Sequence, residues 1–214
     1  MSLLLYGIVA GNTLPVDFDK ALSFVNSDGL TAVVTRREEV SQDVESVLDF
    51  GKIVANIHQH TTIIPIRYGS LLPDETAVVQ HLTEKALFYR QRLEELDGCE
   101  EMGIRLPMAT PEPDPQPLKK PSSGHEYLTL LKRKYAATEQ AEQEAAALDI
   151  ALKGLFRKRS GEAGLFANQP MYLVSYLVHR TQSNAFRAKA EELFETGAHK
   201  CIISGPWPPY NFAG

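Results

Sequence analysis

Two α+β domains are what this sequence predicts, and three observations predict them. Apolar runs with strand character alternate along the chain with segments whose apolar residues recur at helical spacing. The runs fall into two sets of three, parted by the Asp97-Gly98 stop. With 43% hydrophobic and 23% charged residues in 214, the chain has enough apolar content to bury a core without disulfide or metal staples. The second set is expected to form a modified ferredoxin-like domain of the split βαβ kind, so the domains are drawn as residues 1–98 and 99–214.

Residues 3–9 read as a buried strand. The run lacks the basic flank of a signal peptide and is far shorter than the ~18–20 apolar residues of a membrane span. After a loop with Gly11, Asn12 and Pro15, Asp17 caps an expected short helix carrying Phe18, Ala21, Leu22 and Val25, ended by Asn26-Ser27-Asp28-Gly29. Residues 30–35 are β-branched and form the second strand. Residues 41–60 are expected to be helical, as one helix or two with a break near residues 49–51. Residues 61–67 make the third strand, where Pro65 has no amide hydrogen and so marks an edge or a ladder break. Pro73-Asp74-Glu75 starts a helix running to about residue 96, with Val78, Val79, Leu82, Ala86, Tyr89 and Leu93 as its apolar stripe.

In residues 99–108, Met102, Ile104 and Leu106 alternate with Glu101, Gly103 and Arg105, a fourth strand. The alternating prolines of residues 111–121 exclude a helix or a paired strand and leave an exposed polyproline-type loop. Ser122 or Ser123 then caps a long alanine-rich helix whose apolar positions run from Leu128 to Leu155; at ~1.5 Å per residue it exceeds ~40 Å. Residues 157–164, basic and glycine-containing, are expected to be mobile. Residues 171–178 form a strand buried on both faces, residues 184–194 a helix, and residues 200–204 the last strand.

The chemistry that can be sought by motif is absent. There is no G-x-S-x-G elbow, phosphate loop or G-x-G-x-x-G fingerprint, so no catalytic, cofactor or metal residue is assigned. Cys99 and Cys201 lack zinc-ligand spacing and read as small core residues. His125-Glu126 begins like a zinc helix motif, but Thr129 stands where the second histidine belongs. His58-Gln59-His60 would share a face on a strand but points apart at a helix end; with no third ligand, surface or capping roles are preferred to a metal. Arg67-Tyr68-Gly69 follows a buried strand, and an arginine there can grip a carboxylate or phosphate. The structural reading is an ion pair from Arg67 to Asp74 or Glu75. The alternative class, an enzyme or small-ligand binder, would use a pocket beside Arg67. Glu94-Glu95 and Glu100-Glu101 read as a solvated face. A net charge of −5 argues against a general nucleic-acid binder, and the cluster Lys153, Arg157, Lys158 and Arg159 is too small to reverse that.

Two features rise above this background. The long helix either packs on its sheet or protrudes as a surface for a partner helix. The tail sets Trp207, the single tryptophan, with Tyr210 and Phe212 among prolines that pre-extend the backbone. It either docks on the protein's own body, bridging the domains, or hooks another protein; docking is the preferred reading, with all three aromatics covered.

Leu5-Tyr6-Gly7-Ile8-Val9, Thr62-Ile63-Ile64-Pro65-Ile66-Arg67-Tyr68-Gly69-Ser70-Leu71 and Gly205-Pro206-Trp207-Pro208-Pro209-Tyr210-Asn211-Phe212 resemble the gas-vesicle protein family GvpF/GvpL. The strand at residues 171–180 and the helix from near Asn184 fit as well, so the resemblance spans nearly the whole chain. The terminal motif is its most specific part. It implies a cytoplasmic, gas-vesicle-associated accessory protein of vesicle formation in a prokaryote, with no enzymatic activity and no cofactor. It further implies association with the small hydrophobic shell protein during nucleation, and with other gas-vesicle accessory proteins. It carries over no catalytic residues, and the partner-binding residues stay unassigned.

Overall fold

The computed structural model describes residues 1–11, 22–108, 124–167, 169–196 and 201–214, with side chains described except at 124–127, 129–131, 133–134 and 196. The chain divides into two compact units, Met1–Glu101 with Trp207–Gly214, and Met102–Pro206. Contacts thus group the tail with the first unit, whereas the sequence reading draws residues 99–214 together.

In the first unit, β1 (Ser2–Ala10), β2 (Ser23–Ser27), β3 (Leu30–Arg37) and β4 (Ile63–Pro65) lie in the order β2-β3-β1-β4, and β5 (Leu71–Leu72) also pairs with β1. β1 runs antiparallel to β3 on one side. On its other side β4 and β5 follow one another along it, Gly7 opposite Pro65 and Leu3 opposite Leu72. Between them the Ile66 and Leu5 amides still donate across, to the Tyr6 and Ser70 carbonyls at 3.0 Å each. Both neighbours of β1 are therefore satisfied, and its near-continuous apolar run is buried on both faces. A bulge at Tyr6 shifts the register against β3. It lets Leu4 and Tyr6 before it and Val9 after it join one core with Phe50, Val54 and Ile57 of α1 (Val44–His60). Leu3, Leu5 and Ile8 are buried as well, where α2 (Glu75–Glu84) and α3 (Ala86–Leu96) pack on the same sheet.

Gly7 is required here by close approach. A Cβ on it would collide with the Ile63 side chain, 2.6 Å from Cγ1, and would lie 2.8 Å from the Ile64 carbonyl oxygen.

Several expectations need correcting. The helix expected over Asp17 to Val25 lies partly outside the described residues; its described end is strand β2, and Asp28-Gly29 is a two-residue hairpin turn with φ of 51° and 72° rather than a helix stop. Of the two forms left open for residues 41–60, the single helix is the one observed, α1 running unbroken through residues 49–51. The helix expected to run to residue 96 is two, parted at Lys85 (φ −109°, ψ 13°).

In the second unit β6 (Cys99–Pro107), α4 (Gly124–Ala151), β7 (Lys158–Phe166), β8 (Gln169–His179), α5 (Ser183–Thr196) and β9 (Ile202–Trp207) follow in the order β-α-β-β-α-β. The strands lie β7-β8-β6-β9; residues 99–101 of β6 and Trp207 of β9 fall in the first unit. Met102, Ile104 and Leu106 of β6 and Tyr172, Val174, Tyr176 and Val178 of β8 share a face and one core with Ala141 and Ala145 of α4 and Phe186 and Ala190 of α5. β7 replaces the mobile segment expected at residues 157–164: its glycines and charges hide a full antiparallel ladder to β8. The proline run lies outside the described residues. Among the described residues, no helix is long and apolar enough to cross a membrane.

Candidate functional site

α1 begins at Asp43, whose carboxylate accepts from the Ser46 amide at 2.7 Å, the Ser46 hydroxyl at 3.0 Å and the Ser41 hydroxyl. The Ser41 and Ser46 bonds hold the Asp43 carboxyl down at about 2. The inward face of the helix carries Phe50, stacked on Tyr6 at 4.7 Å and met edge-on by Tyr68 at 5.1 Å. Tyr68 donates its hydroxyl hydrogen to the Ser41 carbonyl at 2.6 Å. Beside this aromatic trio lies a cleft of about 170 Å³, bordered by Arg37, Ser41 and Asp49. Burial pushes the Tyr6 phenol pKa up, against the opposing charge and hydrogen bond of Arg37.

The outward face of α1 is apolar too. Val44, Val47, Leu48, Gly51 and Ala55 recur at helical spacing, and Leu48 is 58% exposed. Facing them is the tail. Pro208, Pro209 and Phe212 are buried. Asn211 is gripped by Glu101, whose two oxygens accept from the Asn211 amide at 2.9 Å and its Nδ2 at 2.6 Å. Glu101, expected on a solvated face, is 6% exposed, because this bidentate grip supplies the partners that a buried carboxylate needs. Trp207, by contrast, is 53% exposed, and Tyr210 lies at the surface as well. The tail therefore packs on the first unit, through Phe212, its prolines and Asn211, without covering all three aromatics. Burial pushes the Tyr210 phenol up to about 12. Between Val47, Leu48, Gly51 and Ala55 on one side and Trp207, Pro208 and Tyr210 on the other runs a groove of about 350 Å³, lined by apolar atoms almost throughout.

The residues singled out by sequence are dispersed. Arg67 is exposed and borders neither cavity. Among the described residues it forms no ion pair with Asp74 or Glu75, since the Asp74 carboxylate caps α2 by accepting from the Ala77 amide at 2.9 Å. His58 is buried, while His60 sits at the helix end with its Nδ1 2.9 Å from the Asn56 carbonyl. Among the described residues, no three histidine, cysteine or acidic side chains are grouped to hold a metal. The side chains of His125 and Glu126 lie outside the described set. Cys99 is buried and Cys201 half-buried; burial, and then the Glu144 charge, push the Cys201 thiol up to about 11.

From the basic cluster, Arg159 turns inward. Its Nη2 donates to Glu142 at 2.7 Å, and its Nε lies 3.1 Å from Asp149, close enough for an ion pair but not aligned as a hydrogen bond. Tyr172 donates to Glu142 and Tyr176 to Asp149, the latter at 2.9 Å, so β7 and β8 are tied to α4 by a polar network. Sequence reasoning missed the Glu101 grip and the groove. A signal for the groove was present, since residues 44–57 carry two apolar stripes instead of one.

The class these features define is an α+β protein of two sheets, with a mixed polar and aromatic cleft and an apolar groove beside α1. The chain belongs to the gas vesicle synthesis protein GvpL/GvpF family, whose model matches residues 2–214. It is 26% identical to gas vesicle protein F of Streptomyces sp. (strain CB03234) over 70% of this chain and 69% of that one. It is 24% identical to gas vesicle protein L of the same strain, over 84% and 73%. Its fold is similar to the crystal structure of gas vesicle protein GvpF from Anabaena sp. PCC7120, with a TM-score of 0.75 at 18% identity, covering 100% of this chain and 96% of that one. The GvpF structure from Microcystis aeruginosa gives the same TM-score at 14% identity, covering 100% and 99%.

Proposed function

We propose that this protein is a cytoplasmic accessory factor of gas-vesicle formation that binds the small hydrophobic shell protein during nucleation and limits its aggregation, without catalysing a reaction and without binding nucleic acid. The observation that carries this reading is the apolar groove between α1 and the tail, with Trp207 half-exposed on its wall. A shell subunit that ends in a polymer carries apolar surface that has to be covered beforehand, and a groove on a chain of net charge −5 covers it while keeping the complex dispersed. Family membership over residues 2–214 supports the same setting, and other gas-vesicle accessory proteins are the further partners proposed. A small-ligand reading that uses a pocket beside Arg67 has less support, because Arg67 borders neither the aromatic cleft nor the groove.

The test is co-expression of the shell protein with the tagged full chain. Retention of shell protein on the affinity resin, and a larger soluble fraction of it than without the chain, is the expected result. No retention and an unchanged soluble fraction would overturn the proposal.

A further inference from the structure

The floor of the groove carries a residue that the fold does not need. A Cβ built on Gly51 meets nothing within 4 Å, and its φ is not in the left-handed region. An alanine there would favour the helix. What Gly51 does is leave the α1 backbone bare at the floor, with the small Ala55 one turn further on.

The walls restrict what can lie there. The groove offers almost no polar atoms, and Pro208 on its wall has no amide hydrogen to lend. An extended peptide would bury its own amides and carbonyls unpaired, whereas an α-helix satisfies them internally. Size restricts the occupant further. Val47 to Ala55 spans ~12 Å of helix axis, and a packed helix is ~10 Å wide, so the seat covers on the order of 120 Å². That span is the width of one crossing helix, so no second element fits beside it.

We infer that the groove is the seat for one amphipathic α-helix of an apolar protein partner, crossing α1 at Gly51 and Ala55 with Trp207 and Tyr210 closing on its flank. This deepens, and rests on, the reading that the partner is the shell protein.

The experiment has two arms, each run on the full chain and on Gly51→Leu, which fills the floor and, by its helix propensity, leaves α1 intact. In the first, tagged chain is co-expressed with the shell protein. In the second, emission of the single tryptophan is followed while a synthetic amphipathic helical peptide with one leucine-alanine stripe, or its scrambled isomer, is added. Wild type is expected to retain shell protein and show a saturable blue shift of Trp207 with the striped peptide alone. Gly51→Leu should lose at least tenfold in both, with its thermal midpoint undiminished. Equal retention by wild type and Gly51→Leu would overturn the helix seat and leave the function standing. No retention by wild type would overturn the function, and the peptide arm then decides the groove: a Leu-sensitive blue shift supports the seat, and its absence overturns it.

Discussion

β1 and β7 are both nine-residue antiparallel strands, one in each unit, and they are held in opposite ways. β1 has neighbours on both edges and core on both faces, so seven of its nine residues are buried. β7 has one neighbour, β8, and its side chains are largely exposed. The central strand is fixed by packing, where a single atom out of place has nowhere to go. The edge strand is fixed by its ladder and by Arg159, whose guanidinium ties it to Glu142 and Asp149 on α4.

The sharpest way to break this contrast is to add the same methyl group to each strand. Gly7→Ala would press a Cβ against the fully buried Ile63 and the Ile64 carbonyl, and is expected to cost about 3 kcal/mol by urea unfolding. Gly164→Ala meets only the Leu173 side chain, 3.0 Å away at Cδ1 and half-buried, and is expected to stay within about 0.5 kcal/mol. Equal costs would mean that β7 is as tightly packed as β1.

Next in size is Arg159→Met, which leaves Glu142 and Asp149 without their cation; about 2 kcal/mol should be lost at neutral pH. Burial raises the Glu142 carboxyl, but the hydrogen bonds from Tyr172 and Arg159 outweigh it and hold the group below the ordinary 4.5. The stabilisation from Glu142 is therefore complete above that pH and is lost as pH falls through its lower folded value. Stability profiles of wild type and Arg159→Met should converge on acidification below pH 4.5. Parallel profiles would remove the network from the account of β7.

The tail extends the comparison, since it too relies on a polar anchor. Glu101→Ala removes both acceptors of Asn211 and is expected to cost about 1.5 kcal/mol. Trp207, half-exposed at the start, should be well quenched by acrylamide in wild type and only slightly better quenched in the variant. A wild-type tryptophan shielded from quencher would contradict the arrangement.

Smaller than the Glu101 change, and of opposite sign, is Gly51→Ala, expected to raise stability by about 0.8 kcal/mol because its methyl enters open space on a helix. A loss instead would mean that the groove floor is covered by the chain itself.

The same contrast explains what the sequence makes legible. β1 and β8 announce themselves because long apolar runs have few other readings, and β6 through its alternation of Met102, Ile104 and Leu106. β7 does not, because an edge strand with Gly161, Gly164 and four charged or hydroxyl side chains carries no period-two apolar pattern. β2 was masked by reading Asp28-Gly29 as a helix stop, although the same dipeptide is a strong hairpin signal when φ is positive at both residues. The break at Lys85 involves neither glycine nor proline. In the candidate site, the aromatic tail stands out by composition. Which aromatic faces outward depends on Glu101, 110 positions before Asn211, and no local pattern encodes that.

That separation also sets a schedule. The first unit is assembled from residues 1–101 and 207–214, with the whole second unit translated in between. On the ribosome, α1 and its outward stripe emerge early, while the Trp207 and Tyr210 wall emerges only after residues 102–206. Until then Glu101 lacks Asn211 and one flank of the groove does not exist. A nascent chain thus has half a groove, and its capacity to clasp a helix is complete only once residues 207–210, made after the second unit, join α1.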